Sequence, residues 1–344
     1  MTTQTLSLNP LHGSPWIISR GQDLTWFIGP VLVSYAVLAL LAAGFPLTPV
    51  FLIWLIGIDG PHVLATVTRT YFDRAERRRL GSLLWVVAPA MVMGPIMVAA
   101  GAASLFYTVA VTWLHFHIAK QHFGFVMLYK HKARERDRVD FLLDRWFLLA
   151  SLMLPFAHFA LHNFYLYLGA TPAMQIAERT LGAGYAILAA GFLLRQLDKW
   201  RRGVPLNAPK LMLFAAVVPL QWIVFAYAGS NGVTDGLVRA GIVLGLFHSL
   251  QYHRLMWFHN RNRYSAPEAS RDAGLAAILA QRFGYYFGAA VLLHLVLSIL
   301  PGRLVPSLYV NAALWGIPFT HYILDSVIWR VRGNKELASA LRLG

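Results

Sequence analysis

This sequence predicts an all-α, polytopic membrane protein with about ten transmembrane helices in a single bundle, and three observations lead there. Hydrophobic residues make up 57% of the 344 and charged residues 13%, where a soluble domain carries about 25% charged residues. Apolar stretches of the roughly 20 residues that a helix needs to cross a bilayer recur along nearly the whole chain. The links between those stretches alternate between strongly basic and nearly uncharged, as the two sides of a membrane require.

The elements follow in order. Residues 1–24 are a polar, turn-rich segment without the basic start, apolar core and small-residue cleavage site of a signal peptide. Apolar segments then lie at roughly 25–44, 47–68, 82–101, 105–129, 146–168, 178–197, 211–229, 237–258, 283–300 and 307–329. They form one integral membrane domain over 25–330, followed by a basic tail at 331–344. The links RTYFDRAERRRLG (69–81), KHKARERDRVDFLLDR (130–145) and RQLDKWRRGVPLNAPK (195–210), the stretch Arg254–Arg282 and the tail are basic. The links between them (GFP, GAAS, GATPAMQ, SNGVTDG, PGRLVPS) are short and carry one clear basic residue, Arg303. Basic loops stay inside, so both termini are expected in the cytoplasm, in a bacterial inner membrane. Trp26, Trp85, Trp146, Trp200 and Trp329 sit at segment ends, where interfacial aromatic belts form.

The net charge of +15 is thereby explained by loops that set topology and meet anionic lipids. No recognition motif accompanies it, so nucleic acid is not an expected partner. Cysteine is absent, which excludes disulfides, Cys-ligated zinc, iron–sulfur clusters and thiol catalysis. No internal repeat points to a transporter built of two related halves.

Chemistry is carried by the 13 histidines. The stretch Trp113–Phe125, WLHFHIAKQHFGF, places His115, His117, His122, Lys120 and Gln121 inside a membrane segment, where ionisable groups are costly and face protein or a metal. His62, His248, His253 and His321 lie in three further segments at a similar depth. Seven histidines from four helices at one level predict a shared metal site. His115 and His122, seven apart, project from one helical face, whereas His117 lies well round and is left to a second metal, a substrate or a neighbouring helix. Asp59 precedes His62 by three residues and Asp325 follows His321 by four. Either carboxylate is placed to orient its imidazole or to bind directly. His248 and His253, five apart, stand about 140° apart and meet at one ion only if a π-bulge or kink intervenes. Lys120, one turn from His117, joins Asp59 and Asp325 as a candidate catalytic group; snorkelling to the interface is its other use. His158, His162 and His294 lack partners at this depth, and His12, His131 and His259 are in or beside loops.

Imidazole and carboxylate ligands without sulfur suit iron, zinc, copper or manganese. In a lipid-embedded site the natural chemistry is O2 activation by one or two Fe(II) ions on a lipophilic substrate from the bilayer, with any electron donor unknown. Two other classes fit the same residues: a transporter of metal ions or protons, and a non-catalytic protein holding a metal or haem. GIDGPH (57–62) and GIPFTH (316–321) place a helix-breaking Gly and Pro just before a histidine, which frees carbonyls and opens room beside it.

Four stretches together resemble the bacterial Brp/Blh-type beta-carotene dioxygenases: GPHVLATVTRTYFD (60–73), HFG (122–124), FHSLQYHRLMW (247–257) and GIPFTHYILDSVIWR (316–330). Order and approximate spacing agree from about residue 57 to 330. The resemblance implies a polytopic non-haem iron enzyme that cleaves carotene, with His62, His122, His248 and His253 as the iron ligands by position. This chain departs in spacing its paired histidines five apart rather than four, in setting Asp73 eleven residues after His62, and in adding His115 and His117. Iron-dependent oxygenase chemistry is therefore implied more strongly than carotene itself.

Overall fold

The computed structural model describes residues 14–168, 171–265, 270 and 272–343. His12 and residues 1–13 of the N-terminal segment lie outside the described residues. Among the described residues, seven helices are long and apolar enough to cross a membrane. They are α1 (Arg20–Ala42), α2 (Leu47–Arg69), α3 (Arg74–Ala99), α6 (Pro172–Arg201), α7 (Ala208–Gly229), α8 (Val233–Arg263) and α9 (Phe283–Leu304). Three more long elements complete the series: α4 (Ala103–Lys132), α5 (Arg138–Leu168), and a short helix Leu308–Leu314 continued after Trp315 by α10 (Gly316–Ile328). Among the described residues there is no β-strand, only an isolated bridge between Asp73 and Gly274. The protein is helical and integral to the membrane.

Prolines shape these helices. Wide π-turns at Leu24–Ile28, Leu55–Asp59 and Leu295–Ile299 each end one or two residues before Pro30, Pro61 and Pro301. Proline has no N–H and its ring crowds the carbonyl a turn earlier, so the preceding turn widens. The break expected before His62 is therefore a π-turn over 55–59. Around His248 and His253, by contrast, α8 is unbroken. The break at GIPFTH is the interruption at Trp315. There Gly316 brings α10 against α3 so closely that a Cβ would stand 2.6 Å from the Met91 backbone N and Cα. Close approach through small residues is how membrane helices gain packing energy without a hydrophobic drive between them.

Helix α8 is the axis of the bundle: 56% of its apolar window is buried, against 17% for α3 and α9 and 11% for α6. The chain ends of α4–α7 are tied by a buried ionic network. Lys210 reaches Glu135 (2.9 Å) and Asp144 (2.9 Å), Lys130 reaches Asp144 (2.6 Å), and Lys199 reaches Glu135 (2.7 Å) and Asp140 (2.9 Å). Burial pushes the Glu135 carboxyl up, but Lys210, Lys199 and Lys130 outweigh it and hold the group down at about 2. A depressed carboxylate contributes stability that is full above its unfolded value, about 4.3, and is lost as pH falls through about 2. Wild-type protein should thus lose stability between about pH 4 and 2, and Glu135→Gln should flatten that limb of a thermal-stability profile.

Candidate metal centre

Four helices bring one histidine each to a common point. His62 of α2, His117 of α4, His248 of α8 and His321 of α10 are all buried, and one nitrogen from each lies within 4.8 Å of the other three. The His248 and His62 Nε2 atoms are 3.1 Å apart, and those of His321 and His117 are 3.2 Å apart. Nitrogens about 2.1 Å from a shared ion stand about 3.0–3.4 Å from one another in octahedral or tetrahedral geometry. The rings meet edge to face: His62 is 4.7 Å from both His248 and His321, and His117 is 4.8 Å from His321.

Hydrogen bonds on the far side of two rings assign their tautomers. His62 Nδ1–H donates to the Asp59 carbonyl (2.9 Å) and to Ser249 Oγ (3.1 Å), because the Ser249 hydroxyl proton goes to Asp59 Oδ1 (3.0 Å). His321 Nδ1–H donates to Thr66 Oγ1 (2.7 Å), whose own proton goes to Asp325 Oδ1 (3.1 Å). Tyr252 also donates to Asp325 (3.0 Å). Both imidazoles therefore turn an Nε2 lone pair to the centre, the state that ligates metals. The Asp59 and Asp325 carboxylates stand 3.6 and 3.7 Å from the two Nδ1 atoms, so each sits behind its histidine as an orienting group. Tyr322 stacks on His117 at 4.4 Å, and Gln121 donates to the His248 carbonyl (2.9 Å), pinning α4 to α8. Four histidine nitrogens within 4.8 Å of one another, two pairs of them 3.1–3.2 Å apart and with carboxylates behind two of the rings, could hold a divalent transition metal.

The remaining candidates lie elsewhere. His115 turns to the Leu152 carbonyl (2.8 Å) and Gln221 (3.0 Å) and stacks on Phe156. His122 donates Nδ1–H to Ile118 of its own helix (2.8 Å). His253 pairs with Tyr286 (2.9 Å) on the unbroken α8, since five residues carry it about 140° round from His248. Lys120 is exposed, with its ammonium over the Phe123 ring at 5.1 Å. Arg254 pairs with Gln22. Of the four ligands that the dioxygenase resemblance implies, His62 and His248 belong to the quartet and His122 and His253 do not.

Sequence reading missed Thr66, Ser249 and Tyr252, although a signal was present. Each quartet histidine has a hydrogen-bonding residue four positions on: Thr66, Gln121, Tyr252 and Asp325. The same offset from His115, His122 and His253 gives Ala119, Val126 and Trp257. Residues four apart share a helix face, so a polar partner there marks a face that meets protein rather than lipid. Thr66→Val should release His321 Nδ1 and weaken metal binding by about 10–100-fold, as loss of such partners does. Metal titration of the purified protein would check it.

No protein-family model, curated protein or solved structure matches this chain.

Proposed function

We propose that this protein is a membrane-embedded non-haem iron oxygenase acting on a lipophilic substrate, with Fe(II) held by His62, His117, His248 and His321 and O2 as co-substrate. The observation that carries the reading is the grouping of four buried histidine nitrogens within 4.8 Å of one another, in a chain with no cysteine. The four imidazoles are nitrogen donors that would hold Fe(II). When bound there, iron would supply O2 activation. The chain itself sets the ligands: the Asp59 carbonyl and Ser249 hold His62, and Thr66, under Asp325 and Tyr252, holds His321. Tyr322 covers His117 and helps keep water out. The four nitrogens face one another rather than following in series across the membrane, which favours one centre over a relay for ions or protons.

The proposal includes a ten-span topology, in which α4, α5 and the pair Leu308–Leu314 and Gly316–Ile328 cross alongside the seven apolar helices. Both termini and all basic loops then lie in the cytoplasm of a bacterial inner membrane, against anionic lipids. The resemblance to the carotene dioxygenases supports the same chemistry, with His117 and His321 in place of His122 and His253.

The test is isotopically labelled O2 supplied to Fe(II)-reconstituted protein in bilayer discs containing a bacterial lipid extract. Label in a lipid product, absent with His248→Ala, is the expected result. Iron-loaded protein that transfers no label to any lipid would refute the oxygenase reading.

A further inference from the structure

A cavity of about 330 Å³ lies between α2, α3, α9 and α10 and reaches the quartet at His321. Its wall is aliphatic, from Val63, Val67, Val87, Leu297, Ile317 and Leu324 among others. The few hydroxyls in the wall are already committed. Thr66 donates to Asp325, Tyr71 to the Leu84 carbonyl (2.6 Å) and Thr320 to the Gly316 carbonyl (2.7 Å). A polar ligand group would find no uncommitted hydroxyl proton there and would lose most of its hydration with little compensation. Leu297, at the margin on α9, is 43% exposed on the apolar outer surface, so the cavity borders the lipid phase.

Its length limits what enters. The lining runs along α2 from Val63 to the end of the helix at Arg69, which at about 1.5 Å per residue is roughly 9 Å, and is closed beyond it by Tyr71 and Phe72. An extended hydrocarbon with C–C bonds of about 1.5 Å advances about 1.3 Å per carbon, so roughly seven carbons fit along the helix.

We propose that this cavity binds a single hydrocarbon chain, acyl or isoprenoid, that enters from the bilayer beside Leu297. About seven of its carbons lie along α2 past His321, and its polar end stays outside. As the substrate cavity of an oxygenase the assignment rests on the reading above; as a chain-binding site it is testable without metal.

Metal-free protein in bilayer discs would be exposed to two photoreactive probes, a diazirine fatty acid and a diazirine prenyl alcohol, and the adducts mapped by peptide mass spectrometry. Adducts on Val67, Leu297 or Leu324 are expected from at least one probe. Excess unlabelled chain should suppress them, and Val67→Phe, which fills the cavity, should cut them by about tenfold or more. The probe that labels identifies the chain type. Adducts confined to lipid-facing residues such as Ile187 and Leu292, or cavity adducts that no competitor reduces in the wild type, would overturn the proposal. The two readings fail separately: cavity adducts in wild-type protein that, once loaded with Fe(II), transfers no label from O2 to lipid would leave the chain site standing while the oxygenase falls.

Discussion

Replacing His248 with alanine is expected to abolish stoichiometric metal binding, whereas replacing His122, His253 or His115 leaves it in place. The reasoning is geometric. His248 Nε2 stands 3.1 Å from His62 Nε2 inside the quartet. His115, His122 and His253 do not belong to the set of nitrogens that lie within 4.8 Å of one another; their rings bond instead to the Leu152 carbonyl, the Ile118 carbonyl and Tyr286. Removing one of four ligands should cost more than the 10–100-fold that follows loss of an outer partner. Elemental mass spectrometry of anaerobically Fe(II)-loaded protein reads the outcome directly. Iron lost in His122→Ala and retained in His117→Ala would restore the ligand set that the dioxygenase resemblance implies and refute the quartet.

Lys210→Met is expected to be among the most destabilising single changes in the protein, by about 3–5 kcal/mol. Lys210 is fully buried, and its ammonium contacts both oxygens of Glu135 and both oxygens of Asp144 at 2.9–3.1 Å. Methionine keeps the bulk but leaves two buried carboxylates short of a cation. Lys130 and Lys199 remain beside them, and cannot also fill the site of the missing charge. The exposed pair Arg78–Asp272 provides the contrast, since a solvated ion pair contributes at most about 1 kcal/mol. Unfolding in mixed micelles, with Lys210→Met beside Asp272→Asn, would show whether the two differ. Equal effects would mean that the network is far more hydrated than its burial indicates.

The ionic network also shows a limit of reading loops by charge. The stretch 130–145 reads as a basic loop facing anionic lipid, and Arg134, Arg136 and Arg138 do point outward. Lys130, Glu135, Asp140 and Asp144 from the same stretch are buried or nearly so, because α5 begins at Arg138 and folds its first turns against α6 and α7. Which charges of a mixed run are solvated depends on helix contacts that composition does not contain.

Amino-acid sequence alone determined that this is a helical integral membrane protein, because the cost of unsatisfied backbone in lipid leaves an apolar run of this length only one conformation. It also pointed to the histidines of the apolar segments as the candidate metal donors, since no cysteine is present. Helical phase set His248 about 140° from His253 and His117 well round from His115 and His122, and left open which of them share an ion. Which side of each division faces the centre was decided by tertiary structure alone. Phase is a relative angle about one helix axis, and only the packing of α2, α4, α8 and α10 sets the absolute rotation that turns His62, His117, His248 and His321 toward each other.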